Sequence, residues 1–248
     1  PRLFGAAPRP FDFTDPATFS DALRETDTLF LLRPPQLADV PRYFEPFVES
    51  MLEAGIRRVV FLSVQGVENQ KRIPHHRIEQ LILEKGLDYV FLRPSYFMQN
   101  LTTTLLYEIN TRNRIFIPAG GLKFTWVDGR DIGLVGAHVL NEFQRYYKRP
   151  LVITGKEQKN FRQVADLLSD KLGREIRYES PSLLRFYLAQ RRQGIRPAMI
   201  FVMIMLHYLP RFSGRENPLT SAVKEITGRE PGTLEAFIER ERSTFEPL

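Results

Sequence analysis

The stretch from Arg57 to Asn100, RRVVFLSVQGVENQKRIPHHRIEQLILEKGLDYVFLRPSYFMQN, constrains the fold more than any other part of the chain. Val59-Val60-Phe61-Leu62 is a continuous run of β-branched and aromatic residues, the pattern of a strand buried on both faces. Ser63 stands where that strand ends, and Gly66 opens a loop. Pro74 suits the first turn of a helix, and Ile78, Leu81 and Ile82 then recur at i, i+3 and i+4, giving one apolar face. Gly86 suits a left-handed helix stop. Tyr89-Val90-Phe91-Leu92 is a second buried strand, closed by Arg93-Pro94. Strand, helix, strand leaves room for one right-handed crossover between parallel strands. Ligands of such sheets bind beyond the carboxyl ends of the strands. Ser63, Val64 and Gln65, and the run Arg93 to Phe97, lie at two such ends, with His75 and His76 on the helix between them.

The flanking sequence extends the same rhythm. Phe11 to Phe13 reads as a short strand, and Asp15-Pro16 as a helix start with Asp at the N-cap and Pro at the first helical position. Leu29 to Leu32 is the next buried strand, ended by Arg33-Pro34-Pro35, and a helix over about 39–54 stops at Gly55. The order up to Leu92 is β-α-β-α-β-α-β, which argues for an α/β fold: a Rossmann-like parallel sheet with helices on both faces. Further on, the pattern predicts a helix from Met98 to about Thr111, strands at Ile115–Ile117 and Phe124–Val127, and a helix from Ile132 to about Glu142. A strand at Leu151–Thr154 follows, then a helix capped by Asn160 and closed by Gly173, and a strand at Ile176–Tyr178. The remainder reads as helices, near Pro181–Gln193, Pro197–Tyr208, Thr220–Thr227 and Thr233–Ser243. The expected organisation is a Rossmann-like domain over 1–155, to which later elements can return, and a mostly helical C-terminal cap over 156–248.

With 248 residues, 43% hydrophobic and 26% charged, the chain has the composition of a soluble globular protein. It contains no cysteine, so disulfides and thiolate metal sites are excluded, and a cytoplasmic setting fits. The net charge of +6 is spread along the chain, and its dense clusters, QKRIPHHR and RRQGIRP, are not interleaved with aromatic residues as a base-stacking platform would be. The longest apolar run, Ala198 to Leu206, is too short to span a bilayer. AMIFVMIML is apolar all round, which reads as a helix buried in the cap or lying as a lid on a substrate pocket. Neither a nucleic acid nor a membrane is expected as a partner.

The segments SVQGVENQ, PHHRIEQLI, GLDYVFLRPSYFMQNL and FTWVDGRDIG resemble the NmrA-like group of atypical short-chain dehydrogenases, Rossmann proteins that bind NAD(P)H. The resemblance runs from about Phe11 to the C-terminus. It implies that Asp12 and Phe13 border the adenine, that Leu32, Arg33 and Pro34 pass the cofactor ribose, and that Ser63, Val64 and Gln65 face the cofactor. It also implies that Pro94, Ser95, Tyr96 and Phe97 lie beside the nicotinamide. The expected cofactor is NADP or NAD, with NADP preferred. Two departures stand out. No G-x-G-x-x-G turn occurs anywhere, and only Gly5 precedes Gly55, so the chain reads as starting after the first βαβ unit. Loss of that central strand would separate the Phe11 strand from the Leu29 strand. There is also no Tyr-x-x-x-Lys pair after Ser63 to supply a proton.

Candidate chemistry therefore falls on Ser63, to orient a substrate, and on His75 or His76, either of which could donate a proton near neutral pH. Adjacent helical residues point about 100° apart, so at most one histidine faces a given site. Asp128 and Asp131 read as a helix cap with Arg130 as an internal partner. The expected function is NAD(P)H-dependent hydride transfer to a small apolar or aromatic electrophile such as a quinone. The alternative is a non-catalytic NAD(P) sensor acting through a protein partner. A homodimer is a further candidate assembly.

Overall fold

The computed structural model describes residues 7–212 and 218–246. Its strands, in chain order, are β1 (Thr28–Leu32), β2 (Arg58–Leu62), β3 (Asp88–Pro94), β4 (Tyr96–Phe97), β5 (Arg114–Phe116), β6 (Lys123–Val127), β7 (Arg149–Ile153), β8 (Gln158–Asn160) and β9 (Arg177–Glu179). The fold is α/β and Rossmann-like, as expected. The chain divides into two compact units, Pro1–Pro94 with Leu134–Val152, and Ser95–Gly133 with Ile153–Leu248. It passes between them after Pro94, Gly133 and Val152.

The first unit is built on a sheet of order β1-β2-β3-β7. β1, β2 and β3 are parallel and in register, Leu32 opposite Leu62 and Leu62 opposite Leu92. Side chains alternate across the pleat. Leu31, Val59, Phe61 and Phe91 enter one core with Phe44 and with Phe47, Ile78 and Ile82 from the helices Glu45–Glu53 and Pro74–Glu84. Phe30 and Leu92 point to the other face, where they meet Gly136 of the helix Gly129–Asn141. Burial on both faces is why β2 and β3 are written as unbroken apolar runs. The expectation of a fully buried strand at Leu29–Leu32 is corrected: in β1 only Leu31 is buried, and Phe30 and Leu32 are exposed, because β1 is the outermost strand of this sheet.

Two further expectations for this unit are corrected. Phe11 to Phe13 is not a strand. Asp12 Oδ1 accepts hydrogen bonds from the backbone and hydroxyl of Thr14 (both 2.8 Å), which closes a turn. The Phe11 and Phe13 rings instead join Phe44 and Phe47, with centroids 4.8–5.1 Å apart. Alternating aromatics mimic a strand, but here ring packing rather than a backbone ladder uses them. The helix expected over 39–54 is two helices, Val40–Tyr43 and Glu45–Glu53. Pro46 lacks the N–H that would bond to Arg42, and its ring crowds that carbonyl, so the helix breaks at the buried Phe44.

In the second unit β4 pairs parallel to β6, β6 antiparallel to β8, and β5 parallel to β9. Met98, Trp126, Phe161, Leu168, Phe186 and Phe237 are among its buried core. Asn160 caps the helix Phe161–Leu172 through a reciprocal box with Gln163, and Gly173 closes it in the left-handed region, as the sequence indicated. The helix expected from Met98 to Thr111 is corrected to β4, a 3-10 turn at Met98–Leu101 and a helix at Leu106–Arg112. The Thr102 and Thr103 hydroxyls bond back to the Gln99 carbonyl (3.1 and 2.8 Å), which competes with helix continuation. The apolar helix Pro197–His207 is not buried all round: only one side enters the core.

Asp128 caps the helix Gly129–Asn141, its Oδ1 accepting from the Arg130 backbone (3.1 Å). Its charged partner is Arg240 (2.6 Å), not the Arg130 side chain. Burial works to raise the Asp128 carboxyl, but hydrogen bonds from Arg240, the Arg130 backbone and Gln99 hold it below the usual carboxylate range. Asp131 accepts from the Gly232 backbone (2.8 Å). The pair is structural.

Candidate functional site

The parallel strands of the first unit end together, and their carboxyl ends gather Leu32-Arg33-Pro34, Ser63-Val64-Gln65 and Arg93-Pro94. Ser63 continues the ladder, its backbone N–H donating to Leu92 O (2.7 Å), and Gln65 N–H donates to Pro94 O (2.9 Å). Gly66 then turns the chain at φ +77, a conformation that disfavours any side chain. The Ser63 side chain is buried, and its hydroxyl has no hydrogen-bond partner among the described residues. A buried donor left unmade costs about 1–3 kcal/mol, so an orphan at a strand end marks a place for a ligand group.

Arg33 folds back on its own loop. Its Nη1 donates to the carbonyls of Pro34 (2.9 Å), Pro35 (3.2 Å) and Leu37 (3.1 Å), while its Nε is buried without a partner. Burial lowers its pKa from the usual arginine value. Among the described residues Arg33 has carbonyl partners but no carboxylate, which suits it to an anionic or hydroxyl-rich ligand.

Of the two histidines, His75 is the one held against the sheet. Its ring stacks on Phe61 at 6.1 Å between centroids and 29° between planes. Burial, and then the charge of Arg33, push its pKa down to about 4. At pH 7 roughly one imidazole in a thousand is protonated. His75 is therefore a neutral hydrogen-bonding group, not a resident imidazolium acid. His76 is half-buried on the same turn.

Sequence reasoning passed over the group that fixes this edge. Arg93 is forked onto the buried Glu79 (Nε to Oε1 3.1 Å, Nη2 to Oε2 2.7 Å) and also bonds Glu68 (3.0 Å). The fork ties β3 to the helix carrying His75. A usable signal was present: Glu79 lies four residues after His75, among the apolar positions of that helix.

The remaining expected residues are held as follows. Asp12 is engaged with Thr14, whose hydrogen bonds hold its carboxylate below the usual range, and Phe13 packs on Phe44 and Phe47. Phe13 also lines an open groove of about 550 Å³ along β1, with Arg9, Phe11, Phe30 and Leu32. In the second unit, the Ser95 N–H donates to Ile153 O (2.9 Å), and the Ser95 hydroxyl is a further buried orphan. Phe97 pairs with Val127 across β4 and β6. Tyr96 packs on Trp126 (4.8 Å) and Phe124 (4.9 Å), and its hydroxyl lies 2.9 Å from His207 Nε2. His207 Nδ1 lies 2.6 Å from Met203 O, so Nδ1 carries the proton and Tyr96 donates to Nε2. Burial raises the Tyr96 pKa and lowers that of His207 to about 4, so the pair is neutral.

Residues 10–188 match the NmrA-like family. The chain belongs to the NmrA-like family. It is therefore one of a family of NAD(P)H-dependent oxidoreductases with a Rossmann-like fold. It is 31% identical to festuclavine synthase II of Penicillium roqueforti over 222 residues, covering 88% of this chain and 76% of that one. It is 30% identical to prestalk A differentiation protein A of Dictyostelium discoideum over 231 residues, covering 92% and 74%. Its fold superposes on the NADPH-dependent quinone oxidoreductase of Escherichia coli in complex with NADPH, with a TM-score of 0.81 at 16% identity, over 95% of this chain and 83% of the other.

The strand-end residues fit part of a nicotinamide dinucleotide. The orphan Ser63 hydroxyl and Arg33 Nε offer donors to ribose hydroxyls or a carboxamide. For the pyrophosphate this NmrA-like sequence offers no G-x-G-x-x-G turn, so its residues supply no glycine-rich phosphate cradle.

Proposed function

We propose that this protein is an NAD(P)H-dependent oxidoreductase that reduces a small apolar or aromatic electrophile such as a quinone, with NADP preferred over NAD. The observation that carries the reading is the buried, unpartnered Ser63 hydroxyl beside the half-satisfied Arg33, at the carboxyl ends of three parallel strands. The name of one structural neighbour, an NADPH-dependent quinone oxidoreductase, supports the same reaction class.

When bound, the reduced dinucleotide supplies the hydride. The chain's residues hold and orient. Leu32, Arg33 and Pro34 pass the ribose, and Ser63, Val64 and Gln65 present one hydroxyl donor and a turned backbone. Pro94 and Ser95 bring backbone to the ring, and Tyr96 and Phe97 keep that segment packed. Asp12 and Phe13 border the adenine. His75, neutral at pH 7, and His76 are the residues nearest in role to a proton relay. With no charged acid in place, the reaction suits a quinone, which accepts hydride readily and takes its proton from solvent to leave a hydroquinone.

The test is a fluorescence titration with NADPH and NADH, followed by NADPH oxidation across a quinone panel. Binding is expected to be saturable but weak, because these 248 residues offer no G-x-G-x-x-G turn for the pyrophosphate, with turnover of a quinone at saturating cofactor. Ser63→Ala is expected to leave stability within about 0.5 kcal/mol, because the hydroxyl has no partner to lose, and to weaken dinucleotide binding about fivefold to tenfold. Unchanged affinity in Ser63→Ala would remove the site. Tight binding without turnover on any quinone would favour the second reading, a dinucleotide sensor acting through a protein partner, which the absence of a Tyr-x-x-x-Lys pair also supports.

A further inference from the structure

The helix Pro197–His207 is apolar along its whole length, yet it has two faces. At about 100° per residue, Ile200, Met203 and His207 fall within one arc, and all three are buried. Met199, Phe201, Val202, Met205 and Leu206 fall within the opposite arc of about 160°, and all are exposed, Phe201 at 63% and Leu206 at 53%. Leu209 and Phe212, in the 3-10 turn that follows, extend the stripe, with Phe212 exposed at 70%. A monomeric protein seldom leaves so long an apolar stripe open to water.

The charges in the sequence that carries the stripe are of one sign. From Ser180 to Phe212 the sequence carries Arg185, Arg191, Arg192, Arg196 and Arg211 and no acidic residue. Arg196 sits at the N-cap of the helix, and Arg211 lies beyond its other end, over the Tyr208 and Phe212 rings (5.1 and 5.8 Å). Among the described residues, Arg191, Arg192, Arg196 and Arg211 form no ion pair. An apolar stripe about 16 Å long, bracketed by unpaired arginines, has the layout of an element lying in a lipid interface. No helix among the described residues is long and apolar enough to cross a membrane, so the stripe would lie on the surface.

We propose that this face docks on an anionic phospholipid surface, the stripe entering the acyl boundary and the arginines contacting headgroup phosphates. This differs from the sequence expectation of no membrane partner, because the pattern alone does not show which side of an all-apolar helix is left uncovered. It stands apart from the cofactor reading.

The experiment is co-sedimentation of the protein with vesicles of phosphatidylcholine containing about 30 mol% phosphatidylglycerol, against phosphatidylcholine alone. The expected result is binding to the anionic vesicles that weakens with salt, and at least tenfold less binding to the neutral ones. Phe201→Ser with Leu206→Ser, both at exposed positions, should abolish binding without changing the circular dichroism spectrum. Arg196→Gln and Arg211→Gln should each reduce partitioning about fivefold, the factor that corresponds to about 1 kcal/mol per basic residue at such a surface. Absence of binding, equal binding to both vesicles, or binding that survives Phe201→Ser with Leu206→Ser would overturn the proposal. So would sedimentation velocity showing a dimer that this double variant dissociates, with no vesicle binding, since the stripe would then be covered by a second copy of the chain.

Discussion

Glu79→Gln should be among the most damaging single changes near the strand ends. The Glu79 side chain is 4% exposed and that of Arg93 14%, and two hydrogen bonds of 3.1 and 2.7 Å join them. Removing one partner of a buried pair costs about 3–5 kcal/mol, because the other charge stays buried without compensation. Two features lower the figure here. Glutamine keeps one acceptor oxygen, and Arg93 retains Glu68 at 3.0 Å. The expected loss is therefore about 2–3 kcal/mol. Glu68 is 53% exposed, so Glu68→Gln should cost no more than about 1 kcal/mol. Replacing both partners, Glu79→Gln with Arg93→Met, should recover part of the loss, since the stranded charge is gone. Urea unfolding by far-ultraviolet circular dichroism would give the differences, and hydrogen exchange of the β3 amides would localise them to the first unit. Equal costs for Glu79→Gln and Glu68→Gln, or a double variant as damaged as the sum of its parts, would refute the assignment of a buried, mutually dependent pair.

Stability should also depend on pH in a defined window. His75 is held at about 4 in the folded state, against an ordinary value of 6.5. Between those values the unfolded chain binds the extra proton, so stability is full above about pH 6.5 and falls as the pH drops toward 4, by up to about 3 kcal/mol. His207 adds a second such proton. His75→Gln should therefore reduce the slope of stability against pH in that window by one proton's worth, and an unchanged slope would sink the claim that His75 is buried neutral. Gly155 donates its N–H to Trp126 O (3.0 Å), and a Cβ at that position would overlap the same oxygen. Gly155→Ala should cost at least about 2 kcal/mol and shift the fluorescence of Trp126, the sole tryptophan; wild-type stability would mean the backbones are not so close.

The elements legible in advance were those whose signals are local. β2, the helix Pro74–Glu84 and β3 appear within a residue or two of where apolar runs, Pro74 and Gly86 put them. The Asn160 and Asp128 caps were readable because a cap involves neighbours a few residues apart. The placing of Ser63 and Arg33 at strand ends followed, since each stands directly after an apolar run. Phe11 to Phe13 misled because an alternating aromatic run has the strand period whether or not a neighbouring strand exists to pair with it.

The sequence by itself thus determined the parallel β-α-β core and the strand ends at which Ser63 and Arg33 stand, because apolar runs and tight turns are written in consecutive residues. Only the tertiary structure decided the partners. Arg240 meets Asp128 from 112 positions away, and His207 meets Tyr96 across 111. It also decided that His75, not His76, lies against the sheet beside Arg33, and which side of the helix Pro197–His207 remains open. Such contacts depend on how whole elements pack, and a periodicity of 3.6 residues specifies that a helix has faces without specifying what each face meets.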